Sequence, residues 1–186
     1  DRGPVRPAAR RAPGAAQQVA PAARALIISG PSGAGKGTLI EGVLPRFPRL
    51  AAAVSATTRG MRPGERDGEQ YHFLTPEDFE ARVRAGEFLE HVTYAGNRYG
   101  TLRSEIERIV GEGRWPVVEI ELEGARAVRR QLPDAVSIFI APPSLEELAR
   151  RLERRATDSP VEIAERMRTS RVELEAMSEF DHTIVN

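Results

Sequence analysis

The chain has 186 residues, 40% of them apolar, with 27 basic and 27 acidic side chains and no cysteine. That length suits one α/β domain with a small insertion, and the apolar share is enough for a core. A net charge of zero gives no support for general affinity for nucleic acid or anionic membrane, and the missing cysteine excludes disulfides, thiol catalysis and Cys-based metal sites.

Residues 1–23 (DRGPVRPAARRAPGAAQQVAPAA) carry almost no large apolar side chains, so they read as a disordered extension that cannot offset its ordering entropy. Their arginine content suits a transit peptide, but serine is absent and prolines interrupt any amphipathic helix, which favours a plain extension. From Arg24 the pattern is regular. ALIIS (25–29) reads as a buried strand, and after a Gly-rich turn KGTLIEGVLPRF reads as a helix ended near Pro45. AAAVSATT (51–58) is a second strand. Residues 59–75 are polar and turn-rich, with Tyr71 and Phe73 flanking His72 as in a strand. TPEDFEARVRAG is a helix with Thr75 as N-cap, Pro76 at its first position and Gly86 as its stop. EFLEHVTYAGNRYGT reads as a hairpin turning at AGN.

The second half alternates without interruption. LRSEIERIVGEG is a helix, WPVVEIEL a strand, GARAVRRQL a helix and AVSIFIAP a strand. SLEELARRLERR opens with a capping box, Ser144 with Glu147. PVEIAERMRTSRVELEAMSEF is a long helix and HTIVN a last strand. Strands alternating with helices predict a three-layer α/β/α fold around a parallel sheet. The hairpin-rich segment 57–101 reads as a small mixed α/β insertion on a core of 24–56 and 102–186. No apolar run approaches the roughly 18–20 residues of a membrane span. The three histidines, His72, His91 and His182, lack metal-ligand spacing. A soluble, cytoplasmic protein is expected.

Between the first strand and helix lies Gly30-Pro31-Ser32-Gly33-Ala34-Gly35-Lys36-Gly37-Thr38. Glycines there let backbone N–H groups turn inward as an anion nest, the helix N-terminus adds positive potential, and Lys36 can reach outer phosphates. The phosphate-loop pattern G-x-x-x-x-G-K-[ST] asks for a hydroxyl directly after the lysine, but Gly37 stands there and the hydroxyl follows at Thr38. A Mg²⁺ ion accompanying a nucleotide would then find Thr38 one residue late, or be held mainly by phosphates and water. The segment 54–73 combines short hydroxyls with Arg59, Arg62 and Arg66, then Glu65 and Tyr71. Arginine forks match phosphate oxygens, and a place after a parallel strand favours a ligand site over a merely solvated loop.

With these blocks in view, the chain closely resembles the guanylate kinase family. The resemblance runs from about Leu26 to Asn186 and rests on SGPSGAGKGT, SATTRGMRPGERDGEQYHF, GEFLEHVTYAGNRYGT, VVEIELEGARAV, IFIAPPSLEELARRLERRATDS and HTIVN. It implies a P-loop core, a GMP-binding insertion and a helical lid over about 153–166. The implied reaction is ATP + GMP ⇌ ADP + GDP with Mg²⁺. By the same resemblance the loop 30–38 binds ATP, and Ser55, Arg59, Arg62 and Glu65 belong to the GMP site. Tyr71 and Tyr99 join Arg59 and Arg62 on the GMP phosphate. Glu90 accepts hydrogen bonds from guanine N1–H and the 2-amino group, Thr101 contacts the base, and Glu121 joins them. Lys36, Arg59 and the lid arginines Arg151, Arg155 and Arg166 make the catalytic set.

The chain departs from the family in two places. Glu119-Ile120-Glu121 stands where D-x-D or E-x-D is usual, with Glu123 in place of glutamine. The family also continues past the last strand into a further helix, whereas this sequence ends at Asn186, which predicts a truncated chain with one sheet face uncovered. Two other readings are kept: an adenylate-type kinase, which shares GKGT but not Glu90, and a guanylate-kinase-like binding module or inactive relative. The expected partners are ATP and GMP, without nucleic acid or membrane, and monomer and homodimer are equally open.

Overall fold

A computed structural model describes residues 25–94, 96–154 and 160–186; the extension read over 1–23, the Ala95 corner of the hairpin turn and the lid residue Arg155 lie outside the described residues. In chain order the elements are β1 (Leu26–Ser29), α1 (Lys36–Val43), β2 (Leu50–Ala52), β3 (Ala56–Thr57), β4 (His72–Phe73), α2 (Pro76–Arg84), β5 (Phe88–Tyr94) and β6 (Asn97–Leu102). They continue with α3 (Arg103–Gly111), β7 (Trp115–Glu119), α4 (Leu122–Gln131), β8 (Val136–Ala141), α5 (Leu145–Arg154), α6 (Pro160–Glu175) and β9 (His182–Val185).

The first sheet runs β2-β7-β1-β8-β9 with every pairing parallel. Its central strand is buried on both faces, as a parallel sheet under helices requires. Ile27 packs with Leu89, Ile106, Val118, Ala125 and Val128, while its neighbour Ile28 packs on the other side with Ala34, Val117 and Ile140. Each such aliphatic contributes about 1.5–3 kcal/mol on burial. This is the α/β architecture expected from the alternating pattern.

The second sheet runs β4-β3-β6-β5, with β3 parallel to β4 and the other pairings antiparallel. It has its own small core of Ala56, Phe79, Phe88 and Leu102, in which Phe79 of α2 stacks on Phe88 at 4.4 Å between ring centroids. Thr75 caps α2 as expected, its hydroxyl accepting from the Asp78 N–H at 3.1 Å, and Ser144 caps α5 through the Glu147 N–H at 3.1 Å.

Several boundaries differ from the expectation. AAAVSATT is not one strand. Ala53 still donates to the Val117 carbonyl in the first sheet, but the Val54 N–H turns to the Glu105 carboxylate, and Ala56–Thr57 join the second sheet. The run 51–58 is thus the crossing between sheets, and a run of small side chains conceals the change of partner. WPVVEIEL stops being a strand at Glu119, because α4 begins at Leu122. Helix α1 ends at Val43, with Pro45 inside a following 3₁₀ turn (Leu44–Arg46), and α6 likewise gives way to a 3₁₀ turn at Ala176–Glu179. Among the described residues, no helix is long and apolar enough to cross a membrane.

Phe79 is fully buried in the second core. Phe79→Ala is expected to lower the unfolding free energy by about 3–5 kcal/mol, read from urea denaturation, since it removes an aromatic ring and leaves a cavity.

Candidate active site

The loop 30–37 leaves β1 at its carboxyl end, on the side where an open parallel sheet collects its ligands. Gly30 has φ 139°, and a Cβ there would overlap the Ile140 carbonyl oxygen of β8. Gly35, at φ 89°, is the N-cap of α1 and leaves room for the Asn186 side-chain amide. That amide donates to the Ala34 carbonyl at 2.8 Å, while the Asn186 N–H bonds the Ala141 carbonyl at 2.9 Å. The last residue of HTIVN therefore clamps the loop, a role the sequence reading missed. Lys36 is buried, and its ammonium donates to the carbonyls of Gly30 (2.6 Å) and Pro31 (3.2 Å). In this position the cation lies inside the curve of the loop, where an anion would meet it.

Carboxylates gather near this cation. Glu119 ends β7, and its Oε2 lies 3.6 Å from where a Cβ on Gly37 would stand. The unusual glycine therefore faces an acid. Although Glu119 is exposed, the protein packed around it pushes its carboxyl above the ordinary range; Lys36 pulls it down, and Glu41 and Glu121 push it further up. Glu121 is the N-cap residue of α4 and exposed. Glu173 on α6 is 5% exposed, and burial lifts its carboxyl to about 7, with Glu121 adding to the rise and Lys36 opposing it. Glu173 was not foreseen from the sequence. The signal was there in the spacing: Arg166, Ser170 and Glu173 follow at i, i+4 and i+7, so they share one face of α6. Arg166 Nη1 donates to the Ser32 hydroxyl at 3.4 Å, which lays that face against the loop. Ser170, 1% exposed, has a hydroxyl with no hydrogen-bond partner among the described residues. Arg151 of α5 reaches Glu147 at 3.0 Å.

Thr38 is exposed near the start of α1. Among the described residues no cluster of three or more His, Asp or Glu side chains could cage a metal ion. Single oxygens from Thr38 and Glu119 remain, a donor set that suits an ion held mostly by nucleotide phosphates and water.

The second sheet presents a different chemistry. Arg59 donates from Nη2 and Nη1 to Glu65, at 2.7 and 3.0 Å, and its guanidinium lies 5.4 Å from the Tyr71 ring centroid and 5.6 Å from that of Phe73. Glu65, expected among the ligand contacts, also accepts from the Arg62 N–H at 2.7 Å, so in this structure it orients Arg59. The pairing keeps Arg59 firmly protonated and holds the Glu65 carboxyl below its ordinary range. Tyr99 meets Tyr71 edge to face at 6.0 Å, and burial raises the Tyr71 hydroxyl above its usual value. The Ser55 carbonyl accepts from the His72 N–H at 2.9 Å. The Arg62 side chain is exposed. Deeper in the sheet, Glu90 is 8% exposed and accepts from the Thr101 hydroxyl at 2.8 Å. Burial pushes the Glu90 carboxyl up, and Thr101 opposes the rise. A cavity of about 310 Å³ runs beside β5, lined in part by Glu90, His91, Glu123 and Gly124. The structure therefore brings Arg59, Glu65, Tyr71 and Tyr99 together, and Glu90 with Thr101. Glu121 acts on the carboxyls of Glu119 and Glu173, raising both.

Residues 22–186 match the family described as guanylate kinase. The guanylate kinase of Rubrobacter xylanophilus is 52% identical over 163 residues, 88% of this chain and 85% of that protein. That of Synechococcus elongatus is 47% identical over 163 residues, 88% of this chain and 89% of the other. The crystal structure of guanylate kinase from Anaplasma phagocytophilum superposes with a TM-score of 0.66 at 32% identity, covering 89% of this chain and 77% of that one.

Glu173 yields a pH test. Its carboxyl is raised from about 4.5 to about 7 on folding, so the folded chain holds this proton more tightly than the unfolded one. The stabilising contribution of the protonated form is complete below the unfolded value and is lost as pH rises through about 7. Glu173→Gln is expected to raise the unfolding free energy at pH 8 by roughly 1–3 kcal/mol and to match the wild type near pH 4.5, measured by urea melts across pH.

Proposed function

Because the chain belongs to the guanylate kinase family and so is an ATP:GMP phosphotransferase, we propose that the loop 30–38 takes the donor nucleotide and the second sheet takes the acceptor. The observation that supports the acceptor assignment best is the buried Glu90, hydrogen-bonded by Thr101. Guanine offers two donors on its N1 and 2-amino edge, where adenine offers an acceptor at N1; a carboxylate, which only accepts, therefore favours guanine. Burial makes an ionised Glu90 costly by itself, so the donors of a guanine would stabilise the charged form.

Phosphoryl transfer needs positioning and positive charge more than covalent help from the protein. Lys36 and the loop N–H groups would hold the donor phosphates. Arg166, already at Ser32, and Arg151 would bring charge from the α5–α6 side. Arg59, oriented by Glu65 and resting on aromatic rings, would meet the acceptor phosphate with Arg62, Tyr71, Tyr99 and Ser55 around it. The acceptor phosphate is already an anion, so no general base is required. Mg²⁺ travelling with ATP neutralises phosphate charge, and Thr38 and Glu119 are the residues that would hold its protein side. We assign 57–101 as the acceptor-binding unit on the core. Intracellular nucleotides as substrates support a cytoplasmic setting, where GDP formation would serve purine nucleotide synthesis.

The direct test is ADP release with GMP, AMP, UMP and CMP as acceptors; equal rates with AMP would remove the guanine assignment. Lys36→Ala is expected to abolish ADP formation while GMP binding by calorimetry stays intact, and loss of GMP binding would show that the donor site is misplaced. Glu90→Gln is expected to raise the KM for GMP by a factor corresponding to roughly 1–3 kcal/mol, because one guanine donor is left poorly paired.

A further inference from the structure

Outside the residues that face either nucleotide, one buried acid stands at the junction of the two sheets. Glu105 on α3 is 6% exposed, on a helix whose Ile106 packs into the core of the first sheet. Its Oε2 accepts from the Val54 N–H at 3.1 Å, in the segment where the chain crosses from β2 to β3. Its Oε1 lies 3.3 Å from His72 Nε2 on β4. Arg108 completes the ring, with Nε 3.1 Å from Oε1 and Nη2 3.0 Å from Oε2. The His72 N–H in turn bonds the Ser55 carbonyl at 2.9 Å. One carboxylate thus ties a core helix to the crossing segment and to strand β4 of the other sheet. The residues next to its two contact points are Ser55 and Tyr71, and Tyr71 carries Arg59 on its ring. Nothing in the phosphoryl-transfer chemistry calls for an acid here, and a buried carboxylate is retained only at a cost unless its partners are held in place.

We propose that Glu105 is a positioning residue for the acceptor half of the site, fastening to the core the crossing segment next to Ser55 and strand β4 next to Tyr71; this rests on the assignment of the acceptor to the second sheet. It touches no substrate, so its loss acts on GMP through those neighbours and leaves the donor loop alone.

Steady-state kinetics on the full chain, varying each nucleotide separately, test this. Glu105→Ala is expected to raise the KM for GMP about tenfold with the KM for ATP unchanged, and Glu105→Gln, which keeps an oxygen for Val54, to recover part of that loss. His72→Ala removes only the contact from β4 and is expected to raise the KM for GMP about threefold. An unchanged KM for GMP in Glu105→Ala overturns the positioning role. So does an equal rise for both nucleotides, which marks a general loss of folded core. If Glu105→Ala does not fold, His72→Ala decides alone, and an unchanged KM for GMP there overturns the proposal. Glu90→Gln run in parallel separates the two possible failures. If it too leaves GMP unaffected, the acceptor assignment falls and takes the positioning role with it. If it raises the KM for GMP while Glu105→Ala does not, only the positioning role falls.

Discussion

At Gly30 the loop 30–38 lies so close to the neighbouring strand that no side chain fits between them. Gly30 meets the Ile140 carbonyl with the space of a single hydrogen, and everything at the carboxyl edge of the first sheet is arranged around that approach. It brings the loop over β8 and lets Lys36 turn its ammonium onto the Gly30 and Pro31 carbonyls. It also puts Ala34 within reach of the Asn186 amide at the end of β9. Because the strands are parallel, their carboxyl ends lie along one edge. Ser29, Glu119, Ala141 and Val185 end four of them there, and the loop binds them into one surface.

Charge is handled by local pairing rather than by a net excess. The chain is neutral, yet its candidate phosphate ligands are arginines already aimed by an acid or a hydroxyl: Arg59 by Glu65, Arg151 by Glu147, Arg166 at Ser32. Partly exposed pairs of this kind contribute little to stability. Exchanging the carboxylate for a phosphate therefore costs little, while the fork has been held in a defined orientation beforehand. The acids near Lys36 work differently. Burial raises Glu173 and the protein packed around the exposed Glu119 raises that carboxyl, with Glu121 adding to both and Glu41 to Glu119.

If each sheet takes one nucleotide, as proposed, the junction between them becomes a mechanical problem. The covalent crossing is only the short segment 53–55 on one side and the passage from β6 into α3 on the other. Ala53 still belongs to the first ladder and Ala56 to the second, so the intervening backbone needs a partner of its own. The Glu105 carboxylate supplies it. A buried backbone N–H without a partner is costly, which is why a charged side chain is tolerated at this depth.

Much of this was legible before any coordinates. Alternating apolar runs and helix caps such as Thr75 identified the α/β order, because period and capping are local properties of the chain. The loop was legible because glycines, lysine and helix start are contiguous. What escaped were groups whose meaning depends on distant neighbours. Glu105 and Glu173 read as ordinary helical acids until the fold buried them. Asn186 read as a strand end until its amide met Ala34, 152 positions away in sequence. The split of 51–58 was hidden because small side chains suit either sheet. The sequence by itself determined the elements, the loop and the residue types that can hold phosphate and guanine, since these follow from short-range pattern and side-chain chemistry. Only the tertiary structure decided which acids are buried, which arginines are already oriented and how the two sheets are joined, since burial and long-range pairing exist only once the strands have been brought together.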